Sequence, residues 1–308
     1  MTQLSYLAQN AHVDAGVSSS YPRGTIRWWC VWWFAAAAAV MAKAKGEPED
    51  AGALVAKLKE NVAALDEEDP AFVVDEACCL RYLRARDWDL KKATKMLGET
   101  LKWRKSYGVR SLVDDKFPIL ETECATGKTY VSPECFDREG RATIIMRSKN
   151  ENTFDHDGNV AHVVYQMERA VKAADKAERD KWNIMIDFEG YSLRNAPPMK
   201  TSRATLSVMQ DHNPERLHKA FLVDAPWLFN AFFKLISPFI DPVTRAKIVF
   251  VRGSPDERAK VLAEHFDLAV VEKALGGASA FQYDAAVYLA GDKAAYEARR
   301  AAACPAPA

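Results

Sequence analysis

The chain has 308 residues, 49% hydrophobic and 27% charged, enough for one large globular domain or two smaller ones. Lys and Arg number 42 and Asp and Glu number 42, so no net charge draws the chain to nucleic acid. The six cysteines follow no repeated spacing and form no CxxC pair or zinc-type Cys/His cluster, which points to reduced thiols in the cytosol rather than a disulfide scaffold.

Residues 1–27 are polar and without pattern. They lead into RWWCVWWFAAAAAVM, Arg27 to Met41, which holds four of the eight tryptophans. The uncharged run from Trp28 to Ala42 falls short of the ~20 residues a membrane-spanning helix needs. It also begins far from the amino terminus for a signal peptide. Two readings fit: an interfacial foothold, which suits tryptophan, or sequence upstream of a true start at Met41. With the linker KAKGEPEDAG, residues 1–52 read as a disordered or non-native extension.

Residues 53–112 read as a small helical unit. Leu54, Leu58, Val62 and Leu65 recur three or four apart and stop at Pro70. In DLKKATKMLGETLKWRKSYGV, Asp89 is an N-cap, Ala93, Met96, Leu97, Thr100 and Leu101 share a face, and Gly108 ends the helix. Charge is segregated here. Residues 47–76 hold ten acids against Lys57 and Lys59, and residues 81–110 hold ten bases against Asp87, Asp89 and Glu99. Two solvated faces of opposite sign account for that.

Beyond Phe117 the period changes. KTYVSPECFDREGRATIIM is two β runs around a turn. An apolar helix face from Val160 to Ala174 follows, then the strand WNIMIDF, the helix MKTSRATLSVMQDH, the strand AFLVDAP, the apolar helix WLFNAFFKLISPF and the strand AKIVFVRG. SPDERAKVLAEHF has a capping box, with Ser254 at N-cap, Pro255 at N1 and Glu257 at N3. Such alternation implies an α/β fold with a largely parallel sheet over residues 113–282. Residues 283–308 read as an Ala-rich tail.

Enzyme motifs fail on inspection. GKT at Gly127–Thr129 lacks the earlier glycine and the following helix of a P-loop, which leaves Lys128 as a strand lysine. DHDGN at Asp155–Asn159 has Val160 where a calcium loop needs glycine and Gln166 where it needs glutamate, so it reads as a polar loop entering a helix cap. Asp187 and Glu189 share a face near a strand end, where α/β sheets bind ligands, but no nucleophile or base lies near them in sequence. The six histidines join no catalytic pattern.

Two stretches carry a more specific pattern: CLRYLRARDWDLKKATKMLGETLKWRKSYGV, from Cys79, and QDHNPERLHKAFLVDAPWLFNAFFKLISPFIDPVTRAKIVFV, from Gln210. Together with DREGR at 137–141 and ALGG at 274–277, they resemble the CRAL-TRIO lipid-binding family in its phosphatidylinositol-transfer type. The resemblance runs from about residue 70 to about residue 280. It implies a small N-terminal helical unit and a CRAL-TRIO domain with an apolar lipid cavity. A carrier of this kind hides two acyl chains. At ~0.8 kcal/mol per methylene, some thirty methylenes represent roughly 25 kcal/mol of transfer energy, so only a cavity as apolar as the bilayer makes exchange reversible.

The resemblance also implies site residues. Arg86 matches a phosphoinositide-contacting arginine, and Glu215 in NPERL an acid on inositol hydroxyls or their supporting network. Thr244 and Lys247 in DPVTRAKI match a headgroup hydroxyl and ammonium, three apart and so on one side of a helical turn. Arg216 is a secondary candidate. Taken alone, each is an ordinary surface charge. Trp227, Phe229, Phe232, Phe233, Ile236 and Phe239 lie on a helix that is apolar nearly all round. Periodicity makes it a buried core helix, whereas the resemblance makes it a membrane-touching gate bounded by Pro238 and Pro242.

Three departures stand out. Asp87 follows Arg86 where the transfer proteins often carry lysine. Trp182, Asn183 and Ile184 replace the strand hydroxyls that contact phosphatidylcholine. Asp224 makes the NAP motif DAP. The implied function is a cytoplasmic, peripheral carrier of a phosphatidylinositol-like phospholipid that touches membranes transiently. No catalytic residue, metal or cofactor is expected beyond the bound lipid, and a lipid kinase is a further partner the resemblance allows. Two alternatives stay open: a carrier of a tocopherol, retinoid or sterol-like molecule, and an α/β enzyme using Asp187 and Glu189.

Overall fold

The computed structural model describes residues 46–66, 69, 71–177, 179–192, 197–227 and 245–303. The tryptophan-rich stretch lies outside the described residues.

The helical unit comprises α1 (Ala51–Val62), α2 (Glu76–Ala85) and α3 (Leu90–Tyr107). Side-chain caps set its starts: Asp75 accepts from the Cys78 amide at 2.7 Å and Asp89 from the Lys92 amide at 3.0 Å. Gly108 closes α3 at φ 75°, in the left-handed conformation glycine adopts without a steric penalty. The apolar faces meet over buried Leu58, Val62, Cys78, Cys79, Leu83 and Leu97. Burial pushes the Cys78 thiol up to about 12, as suits a packing residue. The buried Arg104 of α3 grips the rest of the protein, donating to Glu168 at 2.8 and 2.9 Å and to Asp69 at 2.9 and 3.2 Å.

The α/β part comprises α4 (Leu112–Ala125), β1 (Thr129–Phe136), β2 (Ala142–Arg147), α5 (His156–Lys176), β3 (Trp182–Asp187), α6 (Met199–Gln210), β4 (Leu217–Val223), β5 (Ile248–Val251), α7 (Pro255–Ala263) and α8 (Ala285–Ala303). The strands order β1-β2-β3-β4-β5. Among the described strands only the β1–β2 hairpin is antiparallel, and β2 to β5 run parallel as helix–strand alternation requires. Asp137 shapes the hairpin turn by accepting from the amides of Glu139 and Arg141 at 3.0 and 2.8 Å. Asp155 caps α5 through the Gly158 amide at 2.7 Å, which fits the helix-cap reading of DHDGN. Ser254 and Glu257 form the capping box of α7.

Period-two alternation splits the sheet residues between two cores. Ile145, Met185, Phe221 and Val251 meet Phe266, Leu262 and Leu275 on one face. Ile144, Ile184, Ile186 and Leu222 face α5 on the other. The segment read as an Ala-rich tail contains α8, which is packed against the domain. Leu289 is buried, Asp292 accepts from Tyr165 at 2.6 Å and Arg169 at 2.9 Å, and Tyr296 stacks on Phe117 at 4.8 Å. Alanine gives this helix its propensity, while the few large side chains between the alanines give it a docking face.

Candidate functional site

The second sheet face is hollow. Between β2, β3 and β4 on one side and α5 and α6 on the other lies a cavity of about 1600 Å³, its opening included. The walls are mainly apolar: Met146, Ile184, Ile186 and Ala220 from the strands, Met167 from α5, Leu206 and Met209 from α6. The alternation that fills the opposite face with solid core here turns side chains toward space.

Both ends are polar. Asn213 and Arg216 line the cavity just before β4. Lys128, Arg147, Ser148, Glu151 and Asn159 line it where β1 starts, β2 ends and α5 begins. Lys128 is 3% exposed, and its ammonium lies 2.7 Å from Glu123, 2.8 Å from Glu151, 2.6 Å from the Thr153 hydroxyl and 2.5 Å from the Asn159 side-chain oxygen. Burial pushes the Glu151 carboxyl up, against the pull of Lys128. Beside this cluster His162 is buried, which drives its pKa down to about 3 and keeps the ring neutral. Sequence reading treats Lys128 as a lone strand lysine, because its partners are scattered along the chain from 123 to 159.

The structure brings together three of the residues matched from the sequence. Glu215 and Arg216 immediately precede β4, and Lys247 immediately precedes β5. The β4–β5 register sets Lys247 level with Lys219, with the Ala220 amide donating to the Lys247 carbonyl at 2.7 Å, and the Glu215 carboxylate is near enough to act on the Lys247 charge. Burial pulls the Lys247 ammonium below its usual range, and the Glu215 carboxylate beside it pulls it back up. Among the described residues, neither of these two side chains makes a hydrogen bond. Glu215 sits at φ 58°, a left-handed conformation uncommon outside glycine.

Arg216 is less open. It is buried and donates to the Asp180 carbonyl at 3.1 Å, with the Asp180 carboxylate 3.6 Å away. That carboxylate also holds Arg81 at 2.7 Å. Arg86 caps α2, and its guanidinium donates to the Ala85 carbonyl at 3.0 Å. Trp227 is 78% exposed. Thr244, Phe229, Phe232, Phe233, Ile236 and Phe239 lie outside the described residues.

The two candidate catalytic acids have other occupations. Asp187 is buried and bonded to Arg147 at 2.9 Å, and it accepts from the Glu189 amide at 2.9 Å. The Glu189 side chain pairs with Lys149. Trp182 and Ile184 both line the cavity, so apolar surface stands where the resemblance would put phosphatidylcholine-contacting hydroxyls. Among the described residues no helix is long and apolar enough to cross a membrane, and no group of three His, Cys, Asp or Glu is placed to hold a metal ion.

An apolar cavity in a mostly parallel α/β domain, with a helical unit docked beside it and charged side chains at the strand starts that make no hydrogen bond among the described residues, suits a binder of amphipathic molecules. Comparison with known proteins gives the family. Residues 126–277 match the CRAL/TRIO domain and residues 54–99 the CRAL/TRIO N-terminal domain. Phosphatidylinositol transfer protein PDR17 of Saccharomyces cerevisiae is 34% identical over 75% of this chain and 69% of its own length. CRAL-TRIO domain-containing protein C23B6.04c of Schizosaccharomyces pombe is 35% identical over 56% of this chain and 17% of its own length. The crystal structure of Sfh5 shares the fold, with a TM-score of 0.53 at 15% identity, covering 67% of this chain and 81% of that one. The chain belongs to the CRAL-TRIO family.

Proposed function

We propose that the protein extracts a phosphatidylinositol-like phospholipid from one membrane, encloses its acyl chains in the cavity and releases it at another membrane or to a lipid-modifying enzyme. The observation that carries this reading is the pairing of an apolar cavity, with Arg216 in its wall, with Glu215 and Lys247 nearby, two charged side chains that make no hydrogen bond among the described residues. A partly buried ammonium beside one carboxylate retains donors for a phosphate. The carboxylate retains acceptors for ring hydroxyls. The similarity to a phosphatidylinositol transfer protein supports the same cargo. Arg86 adds a second cation, and Thr244 a hydroxyl. Arg216, already engaged by Asp180, lines the wall of the cavity.

Residues 227–240 act as the gate, with the exposed Trp227 as its membrane-facing lead. The protein works in the cytoplasm and touches membranes only transiently, carrying out no covalent step itself. A vesicle-to-vesicle transfer assay tests this. Lys247→Ala should lower phosphatidylinositol transfer roughly tenfold or more, since a charge-assisted contact is worth ~1.5–3 kcal/mol. The melting temperature should hardly move. Equal transfer by variant and wild type removes the site assignment. Mass spectrometry of the lipid that purifies with the protein identifies the cargo independently, and a neutral isoprenoid there would overturn the phospholipid reading.

A further inference from the structure

We propose that Tyr82, Thr100 and Trp103 of the helical unit are positioning residues that hold Glu215 in its strained conformation, so that the helical unit sets headgroup selectivity without touching the lipid. This rests on the headgroup reading of Glu215 given above.

The argument begins with the strain. A non-glycine residue at φ 58° persists only where its surroundings over-determine it. Among the described residues, the restraints shown lie on its neighbours in the chain. Downstream, Leu217 enters β4, and the Arg216 carbonyl accepts from the Trp182 amide at 2.8 Å. Upstream, the chain is gripped from across the domain boundary. The Tyr82 hydroxyl donates to the His212 carbonyl at 3.3 Å, and the Thr100 hydroxyl donates to the Asp211 carbonyl at 3.1 Å. The His212 ring lies on Trp103, centroids 3.9 Å apart and planes 4° from parallel, with its Nδ1 3.1 Å from the Thr100 hydroxyl oxygen.

These contacts come from α2 and α3, more than a hundred residues away in sequence, and both carbonyls belong to residues just ahead of Glu215. Tyr82 and Thr100 are fully buried, so their hydroxyls have no water to fall back on and their bonds are geometrically exacting. The platform is firm, because Arg104, on the same helix as Thr100 and Trp103, is anchored to Glu168 of α5. Arg81, beside Tyr82, shares Asp180 with Arg216 and so holds the downstream side as well. The strained residue is therefore pinned on both sides by one rigid body.

A double-mutant cycle tests this with vesicles carrying labelled phosphatidylinositol and labelled diacylglycerol, which has the acyl chains without the headgroup. Trp103→Ala and Thr100→Val should each cut phosphatidylinositol transfer roughly tenfold while diacylglycerol uptake changes far less. Trp103→Phe, which restores an aromatic face to His212, should recover most of the loss. Adding either substitution to Glu215→Gln should cost nothing further, because the clamp acts through that residue. Additive losses, or an equal fall for both lipids, would overturn the positioning role while leaving the headgroup site standing. Full phosphatidylinositol transfer by Glu215→Gln would instead remove the headgroup reading and this proposal with it. If Trp103→Ala does not fold, Thr100→Val and Tyr82→Phe, which delete only hydrogen bonds, decide the matter.

Discussion

Lys128, in the wall of the cavity, and Lys247, just ahead of β5, differ in how each lysine is satisfied. Lys128 has four oxygens within 2.8 Å and is sealed from solvent. Lys247 has one carboxylate nearby and, among the described residues, no hydrogen bond. Lys128 is sealed and Lys247 only half-buried, so depth of burial does not mark a binding site. Incomplete pairing does. A cation whose donors are used up has nothing left for a phosphate, whereas a half-satisfied one is stabilised when an anion arrives. The Lys128 cluster is a structural plug joining α4, the 151–153 segment and α5, whereas on the proposed reading Lys247 is where a ligand would complete the electrostatics.

Substitution should separate the two lysines sharply. Lys128→Met leaves the buried Glu123 facing Glu151 without a cation, and breaking such a buried cluster costs about 3–5 kcal/mol. Urea denaturation should show that loss. Lys247→Met should change the urea midpoint by the equivalent of about 0.5 kcal/mol or less, as a substitution outside the packed core does, while transfer falls as proposed above. A large stability loss at Lys247 would erase the distinction.

The histidines offer a smaller effect by the same logic. Burial lowers His162 to about 3 at the Lys128 end, and it lowers His212 to about 4 beside Glu215. Both rings are neutral in the fold and titrate near 6.5 when unfolded. Between those values the unfolded chain binds more protons, so the stability they contribute is complete above about pH 6.5 and drains away as the pH falls toward 4. Chemical denaturation across that range should show a decline that His212→Gln makes shallower. An unchanged slope would mean that His212 titrates normally in the fold.

Much of this architecture is legible in the chain itself. Asp89, Gly108, Ser254 and Glu257 announce helix ends through local hydrogen bonds that need no tertiary context. The strands read correctly because short apolar runs bounded by turn residues need only nearest neighbours. The cavity does not read, since periodicity says that Ile184 and Ile186 face the same way but not that α6 stands far enough off to leave room. The Lys128 cluster and the stack of Trp103 on His212 join residues far apart in sequence, so no local pattern contains them. The carboxyl-terminal helix escaped for a different reason. Its alanines dominate the composition, but Tyr288, Leu289, Asp292 and Tyr296 form a stripe at helical spacing that counts for more than the average.

Asp87 provides the finest test of what the charged end requires. It is exposed, beside Arg86, and it sits at φ 52° with Trp88 at 65°, so the backbone there favours Asp or Asn. Lysine at this position would bring a cation together with backbone strain, and a loss of activity would then be ambiguous. Asp87→Asn changes the charge and keeps the conformation. Exposed charge interactions are worth about 0.2–1 kcal/mol, so removing the acid should raise phosphatidylinositol transfer only about twofold at low salt. The gain should vanish near 1 M salt, where screening falls to about 3 Å. If the gain survives high salt, Asp87 acts through geometry rather than charge. If there is no gain at low salt, Arg86 is too far from the phosphate for its neighbour to matter, and the headgroup is held at the Glu215 and Lys247 side alone.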